Sequence, residues 1–276
     1  GGGGGGFLYV LNNTTGNVYS NGSVLGIKAS SGNAGSRIMG SVWAVGSIGG
    51  LSSPSKGGVY IQKDAWAGTM TACLIDGNVK ASVPPSNCPY LGSLTISSPP
   101  ETLSLATVDV DYWKNRAAAG GEWNGNCNIG ATNGTDCTGG TNILGNKKII
   151  GNLTVQSNSN VTINGPVWVK GDIETSQNNI FYTAESTGKN SVVVVASDPD
   201  NLQVKGRIIT NSNVQFFRNS FGGGLIFISE NQGEDCATSP AIDITSNTDT
   251  VVFIGIDGCI NIGSHSVISG VLGKKI

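Results

Sequence analysis

A nine-residue pattern near the start of the chain, GSVWAVGSI (Gly40 to Ile48), recurs far downstream as GPVWVKGDI (Gly165 to Ile173) and, in outline, earlier as GNVYSNGSV (Gly16 to Val24). All three read Gly, any residue, Val, Trp or Tyr, two residues, Gly, any residue, Ile or Val. Side chains alternate along a strand, so the apolar positions fall on one face and the glycines bracket short extended pieces. A single unit of this kind has no core of its own. It must stack on similar units to bury its inward face.

The segment from Lys148 to Thr175 extends the same grammar. Ile149, Leu153, Val155, Val161, Ile163, Val167, Val169 and Ile173 come in bursts of three alternating positions, separated by Gly and Asn. Corners this frequent suggest positive φ, which Gly adopts freely and Asn tolerates best among the rest. The reading is an all-β chain wound as a β-solenoid of short strands. A β-sandwich, the competing architecture, calls for longer strands at steadier spacing.

Composition agrees with strands and turns: 42 Gly, 28 Asn and 51 Ser plus Thr in 276 residues, with 12% charged. Low-complexity disorder fails as an explanation, because Val/Ile/Leu clusters recur between the polar stretches and supply surface to bury. The formal charge of −2 comes without any block of like charge, so nothing marks a nucleic-acid or anionic-membrane footprint. The longest apolar runs, VVVVA (Val192 to Ala196) and GLIFI (Gly224 to Ile228), have strand length and fall far short of the roughly 20 residues that span a bilayer.

One segment departs from the pattern. ATVDVDYWKNRAAAGG (Ala106 to Gly121) offers Asp109 or Asp111 as an N-cap, three consecutive alanines and a Gly-Gly stop, which predicts a short α-helix near 109–119. The adjacent prolines of ISSPPETLSLA before it read as an extended linker. The expected organisation is a glycine tail or placeholder at 1–6, an N-terminal solenoid-like part at 7–100, linker and helix at 101–126, and a C-terminal solenoid at 127–276. The six leading glycines and an apolar pattern still running at the last residues suggest a piece of a longer precursor.

Six cysteines form three sequence-local couples, Cys73 with Cys88, Cys127 with Cys137, and Cys236 with Cys259. None is a CxxC, and His265 is the single histidine, so disulfides are expected rather than a metal site, and with them an oxidising compartment. Tyr19, Trp43 and Trp168 share one slot of the repeat, one step from core positions. They form either an outward aromatic platform for sugars or partners, or packing beneath a neighbouring coil or the helix.

Acid pairs are the usual basis of polysaccharide cleavage. Asp109 with Asp111, Asp198 with Asp200, and Glu234 with Asp235 are local couples at turns or a helix start, where capping and Asx turns account for them. SDPDN (Ser197 to Asn201) has oxygen ligands suited to calcium but lacks the fuller spacing of a known loop. His265 has no identifiable partner for nucleophilic catalysis. Sequons begin at Asn12, Asn13, Asn21, Asn133, Asn152 and Asn160; roughly five would arise by chance from this composition, so they read as compositional. No enzyme activity, cofactor or metal is expected.

Taken together, GNVYSNGSV, SVWAVGSI, the VDVDYWKNRAAAGG helix, KKIIGNLTVQSNSNVTINGPVWVKGDI and the tail VVFIGIDGCINIGSHSVISGVLGKKI resemble the ectodomains of bacterial PilX-type pilus assembly proteins. The resemblance runs over most of residues 16–276, and its motifs are structural. It implies a non-enzymatic extracellular structural or adhesive protein, a pilus-associated or cell-surface filament subunit. Its expected partners are copies of itself, pilus subunits and surface glycans, with membrane contact only through an N-terminal segment not present in this sequence. A self-polymerising β-helix filament and a polysaccharide-binding or polysaccharide-cleaving β-helix are the alternatives.

Overall fold

The computed structural model describes residues 7–10, 13–14, 17–26, 36–50, 58–102, 108–130, 134–233, 235, 238–244, 251–262 and 270–275. The chain is mostly β, arranged in parallel sheets, with one α-helix among the described residues, Val110–Ala118. It divides into two compact units, 1–106 with 275–276, and 107–274.

In the first unit, strands Phe7–Val10, Ser23–Gly26, Val42–Gly50, Ala65–Thr71, Val79–Ala81 and Leu94–Ile96 follow one another in a parallel sheet, with Val18–Ser20 also on Val42–Gly50. A second sheet orders Asn13–Thr14, Ser36–Ile38, Val59–Ile61 and Cys73–Ile75. Two copies of the opening pattern stack directly: Val18 pairs with Val42, Tyr19 with Trp43, and Val24 with Ile48. Ile38, Val42, Ile48, Ile61, Ile75 and Val79 are fully buried between the sheets.

The second unit has three ladders. One runs Glu122–Asn124, Lys147–Ile150, Val167–Val169, Val192–Ala196, Leu225–Ser229; another runs Cys127–Ile129, Leu153–Val155, Ile173–Thr175, Ile208–Thr210, Ile242–Ile244. The long strand Val252–Ile262 pairs with the end of the first through its early residues and with the end of the second through its later ones, which joins them into one sheet. The third ladder is Ile143–Leu144, Asn160–Ile163, Ile180–Thr183 and Gln215–Phe217. All eight apolar positions expected to face inward between Ile149 and Ile173 are buried. Further along, Phe181, Phe216, Phe227 and Phe253 form a continuous aromatic core, with Phe181 and Phe216 stacked at 5.1 Å.

The abundance of Asn has a structural cause in the corners. Before several strands an Asn or Asp side chain accepts the backbone N–H of the equivalent residue in the next tier. In the first unit Ser41 N donates to Asn17 Oδ1 (2.9 Å), Asn78 N to Asp64 Oδ1 (2.7 Å) and Ser93 N to Asn78 Oδ1 (3.0 Å). In the second, Asn152 N donates to Asn126 Oδ1 (2.9 Å), Asp172 N to Asn152 Oδ1 (3.0 Å) and Arg207 N to Asp172 Oδ1 (3.0 Å). These side chains satisfy donors that the strand ladders leave over at the bends.

Glycine at the corners serves two ends, and one is the expected positive φ, adopted by Gly125, Gly130 and Gly151 among others. Gly46, Gly165 and Gly171 do not adopt positive φ. They are needed for close approach: a Cβ on Gly171 would lie 2.5 Å from the Gly151 carbonyl oxygen in the tier beneath. Positive φ is also taken by a column of asparagines, Asn158, Asn178 and Asn213.

Candidate functional site

Tyr19, Trp43 and Trp66 stand one above another in the first unit, followed by Lys80, whose ammonium lies 5.1 Å from the Trp66 ring centre. Trp66 belongs to DAWAGTM, a shortened copy of the repeat, and a register shift between Ala44 and Ser47 absorbs the missing residue. The three rings are half-buried. Their polar ends are taken up by the extended segment after Ile96: Trp66 Nε1 donates to the Ser98 carbonyl at 2.8 Å, and Tyr19 Oη donates to the Glu101 carbonyl. The aromatic slot here anchors the covering segment.

Trp168 occupies the corresponding slot in the second unit, next to Lys148 and Val195 rather than in a column of rings. The helix lies over it. Asp109 caps that helix by accepting from Tyr112 N at 2.9 Å, and Val110, Lys114 and Ala117 are its buried face. Val193, Val195 and Ile228 project outward from the sheet to meet Val110, Trp113 and Trp168, which explains why Val192–Ala196 is buried on both faces. Trp168 Nε1 donates to the Ser197 carbonyl at 3.0 Å. The ammonium groups of Lys148 and Lys114 lie 4.8 and 5.8 Å from its ring, where the negative ring face attracts them.

Lys114, 9% exposed, reaches Asp111 at 2.7 Å and Glu230 at 2.9 Å. Burial pulls its pKa down, but the hydrogen bonds and charges of the two carboxylates outweigh burial, so the ammonium titrates above the ordinary lysine value.

The described acids of the three couples are occupied structurally. Asp109 is the helix cap and Asp111 pairs with Lys114. Asp198 accepts from Asp200 N and Asn201 Nδ2 in a turn, and Lys170 reaches Asp200 at 2.6 Å and Asp198 at 3.9 Å. An ammonium thus stands where the SDPDN loop would hold calcium. Asp235 accepts from Thr238 N at 3.2 Å, while Glu234 and His265 lie outside the described residues. Among the described residues no three His, Cys, Asp or Glu side chains converge as a metal site.

The structure joins Cys73 to Cys88 and Cys127 to Cys137, with Cα separations of 4.4 and 5.2 Å. Cys259 is buried and oxidised as well; Cys236 lies outside the described residues. These disulfides point to an oxidising, extracellular setting. Among the described residues no helix is long and apolar enough to cross a membrane.

One site was not anticipated. Between the exposed edge of the helix and the corners of the second unit lies a cleft of about 490 Å³, walled by Tyr112, Trp113 and Arg116 on one side and by Asn146, Asn164 and Asn190 on the other. Its floor is Gly165, Pro166 and Val192. Tyr112 is 48% exposed and meets Trp113 edge to face at 5.0 Å.

The chain matches no family model, no curated protein and no solved structure. Its site therefore has to be read from its own chemistry. The sequence held part of the signal, since YW and R recur at helical spacing in DYWKNR beside the buried Lys114. The opposite wall comes from residues 30 to 78 positions away and could not be assigned to the helix without the register of the sheet.

Proposed function

We propose that this chain is a non-catalytic, extracellular structural or adhesive protein, in which the stacked tiers are the turns of a disulfide-braced β-solenoid displayed at the cell surface. The observation that carries this reading is the commitment of polar side chains to scaffolding. Corner Asn and Asp residues tie one tier to the next, the acid couples cap a helix or neutralise Lys114 and Lys170, and the repeated aromatic slots pack. Catalysis by paired carboxylates calls for acids facing a substrate cleft, and the described cleft is walled by none.

The resemblance to PilX-type ectodomains supports pilus association as the specific setting. Immunogold labelling of intact cells and of sheared surface filaments tests it. Label on filaments or on the outer surface supports the reading; label confined to the cytoplasm, or hydrolysis of polysaccharide by the purified chain, overturns it.

A further inference from the structure

We propose that the cleft beside the helix binds a carboxylated sugar, a uronate or a sialate, with its ring against Tyr112 and its carboxylate on Arg116. This names a ligand for the adhesive reading above and relies on it only for where that ligand would be met.

The argument rests on which groups in the cleft have no other work. Arg116 is exposed, makes no ion pair or hydrogen bond among the described residues, and is the single charged residue of the wall. The acids nearest it in the chain sequence of the walls are engaged elsewhere: Asp111 by Lys114, and Glu185 by Ser220, whose N–H and hydroxyl hold its carboxyl below the ordinary value. An unpaired guanidinium with no opposing carboxylate favours an anion, and its planar fork matches a carboxylate with two parallel hydrogen bonds.

The remaining groups select a sugar over a simple anion. Asn146, Asn164 and Asn190 line the opposite wall, and none has a side-chain hydrogen bond among the described residues. Each carboxamide offers both a donor and an acceptor, as neighbouring sugar hydroxyls require. Tyr112 supplies the apolar counterpart. One face of a pyranose is a set of C–H groups of slight positive charge, and these fit the negative face of an aromatic ring. The volume, about 490 Å³, lies within the range of small-molecule sites. A phosphate or sulfate, which only accepts hydrogen bonds and has no C–H face, would leave the ring and the amide carbonyls idle.

Titration of the full chain with sialyllactose and with tri-galacturonate, against lactose and maltotriose as neutral counterparts, tests the proposal by NMR or calorimetry. At least one acidic probe is expected to bind, its neutral counterpart roughly tenfold or more weaker, because a charge-assisted pair is lost. Arg116→Gln is expected to abolish that preference, and Tyr112→Ala to weaken both kinds of probe. Both side chains are exposed, and an unchanged thermal transition verifies each variant's fold. Equal binding of acidic and neutral sugars, no binding at millimolar concentration, or unaltered binding by Arg116→Gln overturns the site. None of these results bears on surface display, which the labelling experiment decides separately.

Discussion

Asn178 donates from Nδ2 to Oδ1 of Asn158, 3.2 Å away in the tier beneath, and both residues hold φ near +60°. Asn213 adds a third member by donating to Asn178 Oδ1 at 3.0 Å. The column joins two demands in one residue type, because the left-handed turn needs a side chain that tolerates positive φ and the stacked carboxamides hydrogen-bond along the column.

Substitution at the middle position separates those demands. Asn178→Ala removes both hydrogen bonds and places a Cβ without compensation in the left-handed region, at an expected cost of about 1–2 kcal/mol. Asn178→Gly keeps the backbone relaxed and is expected to cost less than Ala. Urea unfolding of the two variants gives the order; Ala as stable as Gly would show that φ strain is not what selects Asn here.

Gly171→Ala tests the close approach between tiers. The new Cβ would meet the Gly151 carbonyl oxygen at 2.5 Å and Asn152 Oδ1 at 2.6 Å, and because the backbone oxygen cannot swing aside the tier must shift, at an expected cost of about 1–3 kcal/mol or more. Gly121, at φ +109° with nothing within 4 Å, is a control in which strain acts without a clash. Comparing the two denaturation midpoints distinguishes steric from conformational need.

Much of this architecture could be read before any coordinates. Val42, Val167 and the other alternating positions announce a buried face through period two, and Asp109 or Asp111, the alanine run and the Gly-Gly stop announce the helix, whose cap is Asp109. What could not be read is register. Trp66 stands above Trp43 although its copy of the repeat is one residue short, because a register shift between Ala44 and Ser47 takes up the difference after the ring. The sequence-local cysteine couples Cys73 with Cys88 and Cys127 with Cys137 needed no register and appear as disulfides. Arg116 and Asn164 share a cleft only because the helix crosses that ladder.

The segment from Ser97 to Glu101 is held to the aromatic column by hydrogen bonds from Trp66 and Tyr19. Tyr19→Phe with Trp66→Phe keeps an aromatic ring at each position, a smaller one at 66, and removes both donors. Hydrogen exchange should accelerate in residues 97–102 and stay unchanged in Val42–Gly50, since each lost bond is worth about 1 kcal/mol and acts locally. Unchanged exchange in the segment would show that ring packing alone holds it.

The disulfide Cys73–Cys88 closes a loop of 15 residues. By the chain-entropy argument, replacing both cysteines with serine should cost about 3 kcal/mol. Reduction of the intact protein should lower its denaturation midpoint in the same direction, and a midpoint indifferent to reductant would remove the argument for an oxidising compartment.

Lys114 provides the pH prediction. Its folded pKa lies above the ordinary value of 10.5, so its contribution to stability is complete below that pH and is lost as pH rises through the folded value. Stability should therefore fall in alkali above about pH 10.5, and Lys114→Met should flatten part of that fall. At neutral pH Lys114→Met leaves Glu230 without its cation, at an expected cost of about 1–3 kcal/mol. This is less than the loss for a fully buried pair, because the Glu230 side chain keeps 22% exposure. Adding Glu230→Leu should recover most of the loss, since two apolar side chains suit the contact between helix and sheet. A double variant no more stable than the single one would show that the ion pair is needed in its own right to hold the helix over Trp168, and with it the wall that presents Tyr112 and Arg116.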